Sequence, residues 1–327
     1  VQQASIRNER NNCVVFGGSG FLGQTLCRRL LIAGFNVRSV SRTGRPRGES
    51  KPWHSQVEWI ATPLDSDLAV QSLVDANIVF HLASTTLPSS SNQDMPYDLQ
   101  SNAVASLRLL HESAKLNIDR FIFVSSGGTI YGKPLQNPIN EDHPTNPLCS
   151  YGIHKLAIEK YLNLFQHLYG LRSIILRVSN IYGEDQDCAK PIGAIAHFTS
   201  LALQGKPIEI WGDGKTVRDY VHVDDVASAL LAAATYTGTI SLFNIGSGIG
   251  TSLNDLLDTV KKYSLLPVSI IYKESRPFDV QANILDVTRA FRELAWQPSV
   301  SLQAGLRRML NRELQAAANS ARSRRSS

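Results

Sequence analysis

The 327-residue chain has 43% hydrophobic residues and a formal net charge of +5, so it can bury one large core or two modest ones. Arg322, Arg324 and Arg325 lie in the polar run ANSARSRRSS, and without them the excess is about +2, which predicts no nucleic-acid partner. No apolar run reaches membrane-span length, and the opening VQQASIRNERNN is too polar for a signal peptide. Cys13, Cys27, Cys149 and Cys188 are scattered without CxxC or metal-ligand spacing, which fits reduced thiols in a cytoplasmic protein.

In chain order the pattern alternates. CVVFGG, NVRSVS, ANIVFHLAS, RFIFVSS and SIILRVSN are apolar runs of strand length, and QTLCRRLLIAG and SLRLLHESAKL between them have helical periodicity. Strands apolar on both faces and joined by amphipathic helices predict a doubly wound parallel α/β sheet. After Asn180 the chain breaks into Gly- and Pro-containing pieces such as KPIEIWGDGKTVRDY, and then VHVDDVASALLAAA restores a strand and a helix. Two interleaved units are therefore expected. Residues 11–180 with about 219–248 form the larger, and about 181–218 with 249–312 form a smaller C-terminal lobe. Residues 1–10 and 313–327 read as flexible ends.

The first strand runs into GGSGFLG, which spaces Gly17, Gly20 and Gly23 as GxxGxxG with a helix following at once. Glycine turns of this kind let the amides of Gly17, Gly20, Phe21, Leu22 and Gly23 approach a pyrophosphate, and the third glycine lets helix and strand pack closely. At the end of the second strand, where an acidic residue would grip the adenosine ribose, stand Ser41 and Arg42. Without that carboxylate both NAD and NADP fit the pattern, and Arg42, Arg45 and Arg47 read equally as a phosphate site or a basic surface loop.

CSYGIHKLAIEKYL places Tyr151 and Lys155 four apart, on one helix face. A phenol with its ordinary pKa near 10 is a poor base at neutral pH, and a neighbouring ammonium would stabilise the phenolate. With ten tyrosines and eleven lysines, chance alone yields about 0.3 such spacings, so context decides. Upstream, RFIFVSSGGTIYG puts Ser125, Ser126 and Thr129 at the carboxyl edge of the sheet, where a hydroxyl meets a ligand or simply forms a polar turn.

The glycine loop, the serines before YG and YxxxK, in this order, resemble the extended short-chain dehydrogenase/reductases. With HLAS at 81–84, Asn102, RVSNIYG, RDYVHVDDVA, FNIGSG and RPFDV, the chain resembles the UDP-glucose 4-epimerase branch of the NAD-dependent epimerase/dehydratase enzymes from about Cys13 to Leu310. The resemblance implies a Rossmann-type domain binding NAD, with NADP still open, and a nucleotide-sugar lobe. It implies Tyr151 as base and Lys155 as the group that binds the nicotinamide ribose and lowers the tyrosine pKa. Ser126 is the implied hydroxyl partner, with Thr129 its rival because SSGGT replaces the common SSSAT. Leu64, Leu82, Ala83, Ser84 and Asn102 fall at cofactor contacts, and Pro63 stands where aspartate is common. Asn180, Arg218 and Arg276 match diphosphate contacts, Asp279 a ribose contact, and Trp211 an aromatic beside uracil that reads equally as lobe core. Asn283 corresponds to the gate beside the sugar C2 group and is smaller than the tyrosine that excludes N-acetyl groups.

SSGGTIYG has no carboxylate of the kind used by dehydratases and decarboxylases of this fold. That leaves 4-epimerisation of a UDP sugar, with NADPH-dependent ketoreduction or a non-catalytic NAD(P) sensor as alternatives. The resemblance further implies a homodimer through helices at 97–116 and 151–168, and a setting in polysaccharide biosynthesis.

Overall fold

The computed structural model describes residues 11–46, 50–187, 193–275 and 280–323, with side chains as far as Glu313. β1 (Asn12–Phe16), α1 (Phe21–Ile32), β2 (Asn36–Ser41), β3 (Val57–Ala61), α2 (Asp67–Gln71) and β4 (Ile78–His81) make the first half of the larger unit. α3 (Met95–Asp98), a wide π-type turn over Leu99–Val104, α4 (Ala105–Lys115), β5 (Arg120–Ser126), α5 (Ser150–Tyr169) and β6 (Ser173–Val178) make the second. The chain then alternates between units through β7 (Asn180–Tyr182), α6 (Ala194–Leu203), β8 (Ile208–Trp211), β9 (Val217–His222), α7 (Val223–Thr235) and β10 (Leu242–Ile245). β11 (Gly250–Ser252), α8 (Leu253–Tyr263), β12 (Ile270–Lys273), β13 (Ala282–Asn283), α9 (Thr288–Leu294) and α10 (Leu302–Ser323) complete it.

Seven strands pair in the order β10-β6-β5-β4-β1-β2-β3, all parallel. The apolar runs are explained by burial on both faces. β1 sends Cys13 and Val15 into the core beneath α1 and α7, and Val14 and Phe16 into the core beneath α4 and α5. Each fully buried large side chain contributes roughly 1.5–3 kcal/mol relative to exposure. The sheet order reverses between β1 and β4, which opens a crevice at their carboxyl ends, the usual ligand site of such sheets.

In the smaller lobe β9 pairs with β7, β11 and β13, and β8 pairs with β12. Ile195, Phe198, Ile208, Tyr220, Leu256, Leu306 and Met309 form its core. Three details differ from the sequence expectation. β9 pairs within the smaller lobe, although about 219–248 is expected in the larger unit, because its partners are β7, β11 and β13. Ala290, Leu294 and Trp296 pack into the core of the larger unit although their segment falls within 249–312, because Trp296 Nε1 donates to Asp225 O (3.0 Å) on α7. Helix α10 carries regular backbone on to Ser323, past residue 313, where composition predicts a solvated end. No described helix is long and apolar enough to cross a membrane.

Candidate active site

The glycine loop has the geometry a bound pyrophosphate needs. Gly17 sits at φ +88°, where a side chain is strained, and a Cβ there would lie 3.0 Å from Ala83 N. A Cβ on Gly23 would lie 2.2 Å from Gly17 O and 2.6 Å from Gly18 Cα, so only glycine lets α1 press on the loop. Helix α1 starts after Gly20 with no side-chain cap, and its first-turn amides, including those of Phe21 and Leu22, are free of intrahelical partners. Gly17 and Gly20 line a cavity of about 520 Å³ with Ser41, Arg42, Leu64, Leu82, Ala83 and Ser84. That is the size of an ordinary cofactor pocket. A dinucleotide therefore fits the residues present.

At the adenosine end the absent carboxylate is replaced by hydroxyls. Ser19 Oγ donates to Ser41 Oγ (2.7 Å) and lies 3.0 Å from Thr43 Oγ1. Asp65 also lines this cavity, two residues beyond Pro63, so an acidic group that the sequence reading missed stands near the position it found empty. Arg42 lines the same cavity; Arg47 lies outside the described residues. A larger cavity of about 1000 Å³, between α1, α7 and Trp53, contains none of the expected site residues.

Tyr151 and Lys155 occupy the first two turns of α5. Side chains from a distant loop satisfy the helix start: Asn92 Oδ1 accepts from Ser150 N (2.9 Å) and Ser91 Oγ from Tyr151 N (3.0 Å). Lys155 is almost fully buried. Its Nζ donates to Val124 O (3.0 Å), and lies 4.7 Å from the Phe123 ring centroid and 5.6 Å from that of Tyr151. Burial pulls its pKa down to about 8, against the attraction of Glu159 and Asp98. The tyrosine departs from expectation. Burial first, then Cys149 and Asp98, push the phenol above its ordinary value rather than below it, because spacing reports proximity to a cation but not desolvation.

Ser126 ends β5, and Thr129 follows in the turn. Thr129 packs against the first turn of α5 so closely that a Cβ on Gly152 would lie 3.2 Å from Thr129 O. Among the described residues, Thr129 Oγ1 is buried without a hydrogen-bond partner. Behind this turn a buried network fixes β5: Ser125 Oγ donates to Glu159 Oε1 (2.6 Å), and Arg177 Nη2 to Glu159 Oε2 (2.7 Å). Arg177 Nη1 donates to Tyr131 Oη (3.0 Å), which donates to Asn244 Oδ1 (2.7 Å).

On the smaller lobe, Asn180 Nδ2 donates to Asp219 O (2.9 Å), and Arg218 Nη1 donates to Val217 O (2.9 Å) and Val280 O (2.7 Å). Trp211 is exposed rather than in the lobe core, and lines a cavity of about 690 Å³ with Gly212, Tyr272 and Gln281. Asn283 is buried, with Nδ2 donating to Gly127 O (3.2 Å), and Oδ1 has no partner among the described residues. It thus joins the smaller lobe to the turn that carries Ser126 and Thr129. Arg276 and Asp279 lie outside the described residues, as does Cys188.

Two further carboxylates escaped the sequence reading. Asp219, fully buried, accepts from Ser247 N (2.7 Å), Ser247 Oγ (2.8 Å), Gly248 N (3.1 Å), Leu285 N (3.2 Å) and Ser179 Oγ (3.2 Å). It ties the two units together where the chain crosses between them. Burial raises its pKa against the pull of these bonds. Asp98, also fully buried, lies beside α5. In the sequence Asp219 stands inside RDYVHVDDVA and Asp98 four residues before Asn102, with nothing to mark either as buried.

A reversed parallel sheet with a glycine loop, a dinucleotide-sized cavity and a tyrosine–lysine pair on α5 defines a nucleotide-dependent enzyme of the short-chain dehydrogenase kind. The family model described as the NAD dependent epimerase/dehydratase family matches residues 13–246, and the chain belongs to that family. It is 34% identical over 300 residues to a putative UDP-glucose 4-epimerase of Methanocaldococcus jannaschii, covering 91% of this chain and 97% of the relative. It is 32% identical over 311 residues to the dTDP-4-dehydro-6-deoxyglucose reductase of Escherichia coli, covering 92% and 97% respectively. Its fold is similar to that of the UDP-glucose 4-epimerase of Thermotoga maritima crystallised with UDP-glucose, with a TM-score of 0.87 and 35% identity over 94% of this chain and 99% of that one.

Proposed function

We propose that this protein is an NAD-dependent nucleotide-sugar 4-epimerase acting on UDP-glucose and UDP-galactose or their N-acetyl forms. The observation that carries the reading is the pairing of Tyr151 and Lys155 on the first two turns of α5 against a turn that offers the hydroxyls of Ser126 and Thr129 and no carboxylate. Such a site moves a proton to and from a sugar hydroxyl, and offers no acid to expel a leaving group.

Gly17, Gly20, Phe21, Leu22, Gly23, Ser41, Leu64, Leu82, Ala83 and Ser84 would hold the dinucleotide, with Asn102 bracing the wall at Ser84. When bound, NAD supplies a hydride acceptor and a positively charged ring. Tyr151 takes the proton of the sugar 4-hydroxyl and returns it after the 4-keto sugar has turned over. Lys155 supplies the buried positive charge beside the phenol. The unpartnered Thr129 hydroxyl supports Thr129, ahead of Ser126, as the group that bonds the sugar oxygen. Asn180, Arg218 and Arg276 are assigned to the diphosphate, Trp211 and Asp279 to the nucleoside. The small Asn283 favours acceptance of a 2-acetamido group.

A second reading, an NADPH-dependent 4-ketoreductase, draws support from Arg42 in the adenosine cavity and from the E. coli reductase relative. Incubation with UDP-galactose separates the two. Formation of UDP-glucose without added cofactor supports the epimerase, and turnover of a 4-keto sugar only with NADPH supports the reductase.

We also assign a homodimer to the exposed stripe Ile153, Tyr161, Leu164 and Leu168 on α5, whose spacing is that of a helix-packing seam. Leu164→Glu is expected to convert a sedimenting dimer to monomer. Free buried thiols at Cys13 and Cys27 suit a cytoplasmic enzyme that supplies sugar nucleotides to polysaccharide biosynthesis.

A further inference from the structure

Beside Tyr151 lies a buried cluster that the proton transfer above does not use. Asp98 Oδ2 accepts from Ser150 Oγ (2.6 Å) and His154 Nδ1 (2.9 Å), and Oδ1 accepts from Thr86 Oγ1 and, at 3.3 Å, from Asn102 Nδ2. Ser150 and His154 flank Tyr151 on α5. The other two donors belong to the opposite wall. Asn102 Oδ1 accepts from Thr85 N (2.9 Å) and Ser84 Oγ (3.3 Å), and Ser84 and Thr85 line the dinucleotide cavity with Tyr97 and Ser101. Four donors from three separate segments therefore converge on one carboxylate. The His154 ring also lies edge-on to the Tyr151 ring, with centroids 5.1 Å apart.

We propose that Asp98 and His154 form a positioning pair that fastens Tyr151 to the wall of the dinucleotide cavity, and that the Asp98 charge sets the pH at which the phenol exchanges its proton. Fastening follows from the bonds: any shift of the first turn of α5 strains the Ser150 and His154 bonds to Asp98, and through Asn102 the cavity wall. A site that must hold a phenol within a fraction of an ångström needs such a brace.

Titratable groups approach the phenol from several elements. α5 contributes Lys155 and, one turn further, Glu159, which is already paired with Arg177. β4 contributes His81, whose Nε2 meets Ser106 Oγ (2.7 Å), and Cys149 precedes the helix. Burial, then Lys155, pulls His154 down to about 4, and burial pulls His81 down to about 3, so both rings are neutral at physiological pH. Burial disfavours the Asp98 charge, but the bonds from Ser150, Thr86 and His154 outweigh it and keep the carboxylate ionised. No imidazolium cancels this charge, and a carboxylate beside a phenol opposes phenolate formation. Asp98 thus opposes the Lys155 ammonium and raises the pH at which Tyr151 gives up its proton.

Asp98→Asn tests the charge with little change of shape, since the hydroxyls of Thr86 and Ser150 can reverse their bonds and the imidazole can change tautomer. The inference rests on Tyr151 being the proton-transfer group, so its test reads ionisation directly. In the protein as purified, phenolate ultraviolet absorbance is titrated for the parent minus Tyr151→Phe, and again with both partners carrying Asp98→Asn. The midpoint for Tyr151 is expected to fall by roughly one pH unit in Asp98→Asn, with the ascending limb of kcat moving the same way. An unchanged midpoint overturns the proposal. Absence of epimerase activity with the shift intact overturns only the functional reading. Ser150→Ala, which removes a bond but no charge, is expected to lower kcat about tenfold without moving the midpoint; a shift equal to that of Asp98→Asn overturns the charge argument. Should Asp98→Asn not fold, His154→Asn, which keeps a donor toward Asp98, is expected to retain activity that His154→Leu loses. Equal activity of those two variants contradicts the brace.

Discussion

Replacing Lys155 by methionine should stabilise the protein while abolishing its activity. Lys155 is 2% exposed, and burial moves its pKa from 10.5 to about 8. At 1.36 kcal/mol per pH unit, keeping the ammonium charged inside the fold costs about 3 kcal/mol. Methionine removes that cost but also the bond to Val124 O, worth about 1 kcal/mol, so a net gain of about 2 kcal/mol is expected at pH 7. The sign follows from linkage. Below pH 8 the parent lysine is charged in both folded and unfolded states, and the folded state bears the full cost. From pH 8 to 10.5 the folded lysine is neutral while the unfolded one still binds a proton, so the parent gains on the variant as pH rises. Urea denaturation of both proteins at a series of pH values measures the gap. A Lys155→Met variant no more stable than the parent at pH 7, or a gap that fails to narrow above pH 8, would refute the reasoning.

Other substitutions probe separate parts of the site. Gly23→Ala puts a methyl group 2.2 Å from Gly17 O, so the dinucleotide released on denaturing the purified protein should fall severalfold and the protein should lose about 1–3 kcal/mol; parent values of both would contradict the loop argument. Asp219→Asn turns an acceptor oxygen into a donor facing at least one buried N–H, and should cost about 2–3 kcal/mol by urea titration, with an unchanged midpoint counting against its role between the units. Asn283→Tyr should lower kcat/KM for UDP-N-acetylglucosamine about tenfold or more relative to UDP-glucose, and equal losses on both substrates would remove Asn283 from the C2 pocket.

What can be read from the sequence is what depends on local geometry. Gly17 and Gly23 announce themselves because a positive φ and a helix pressed on a loop exclude every other residue. Tyr151 and Lys155 do so because helix periodicity places them on one face, and the apolar runs do so because β1 is buried on both sides. The brace around Asp98 has no such signature. Thr86, Asp98, Ser150 and His154 are brought together by strand order and by the wide turn after α3, and hydroxyls tens of residues apart carry no period. Asp219 is hidden for the same reason, since its donors Ser179, Ser247, Gly248 and Leu285 come from the segments that follow β6, β10 and β13. The direction of the Tyr151 shift was also out of reach, because it is set by how much water the folded chain excludes. Asp65 occupies the cavity two residues from the position at which a motif comparison looks for an acid, a displacement that only the loop backbone reveals.

The most direct test of the central claim is the fate of the hydrogen on the sugar C4. UDP-galactose carrying deuterium at that carbon, incubated with the purified protein and no added cofactor, should yield UDP-glucose with the deuterium still at C4, and Tyr151→Phe should slow the conversion by about two orders of magnitude or more, the range for positioned acid–base groups. Loss of the label to solvent, or a Tyr151→Phe variant as fast as the parent, would contradict the account.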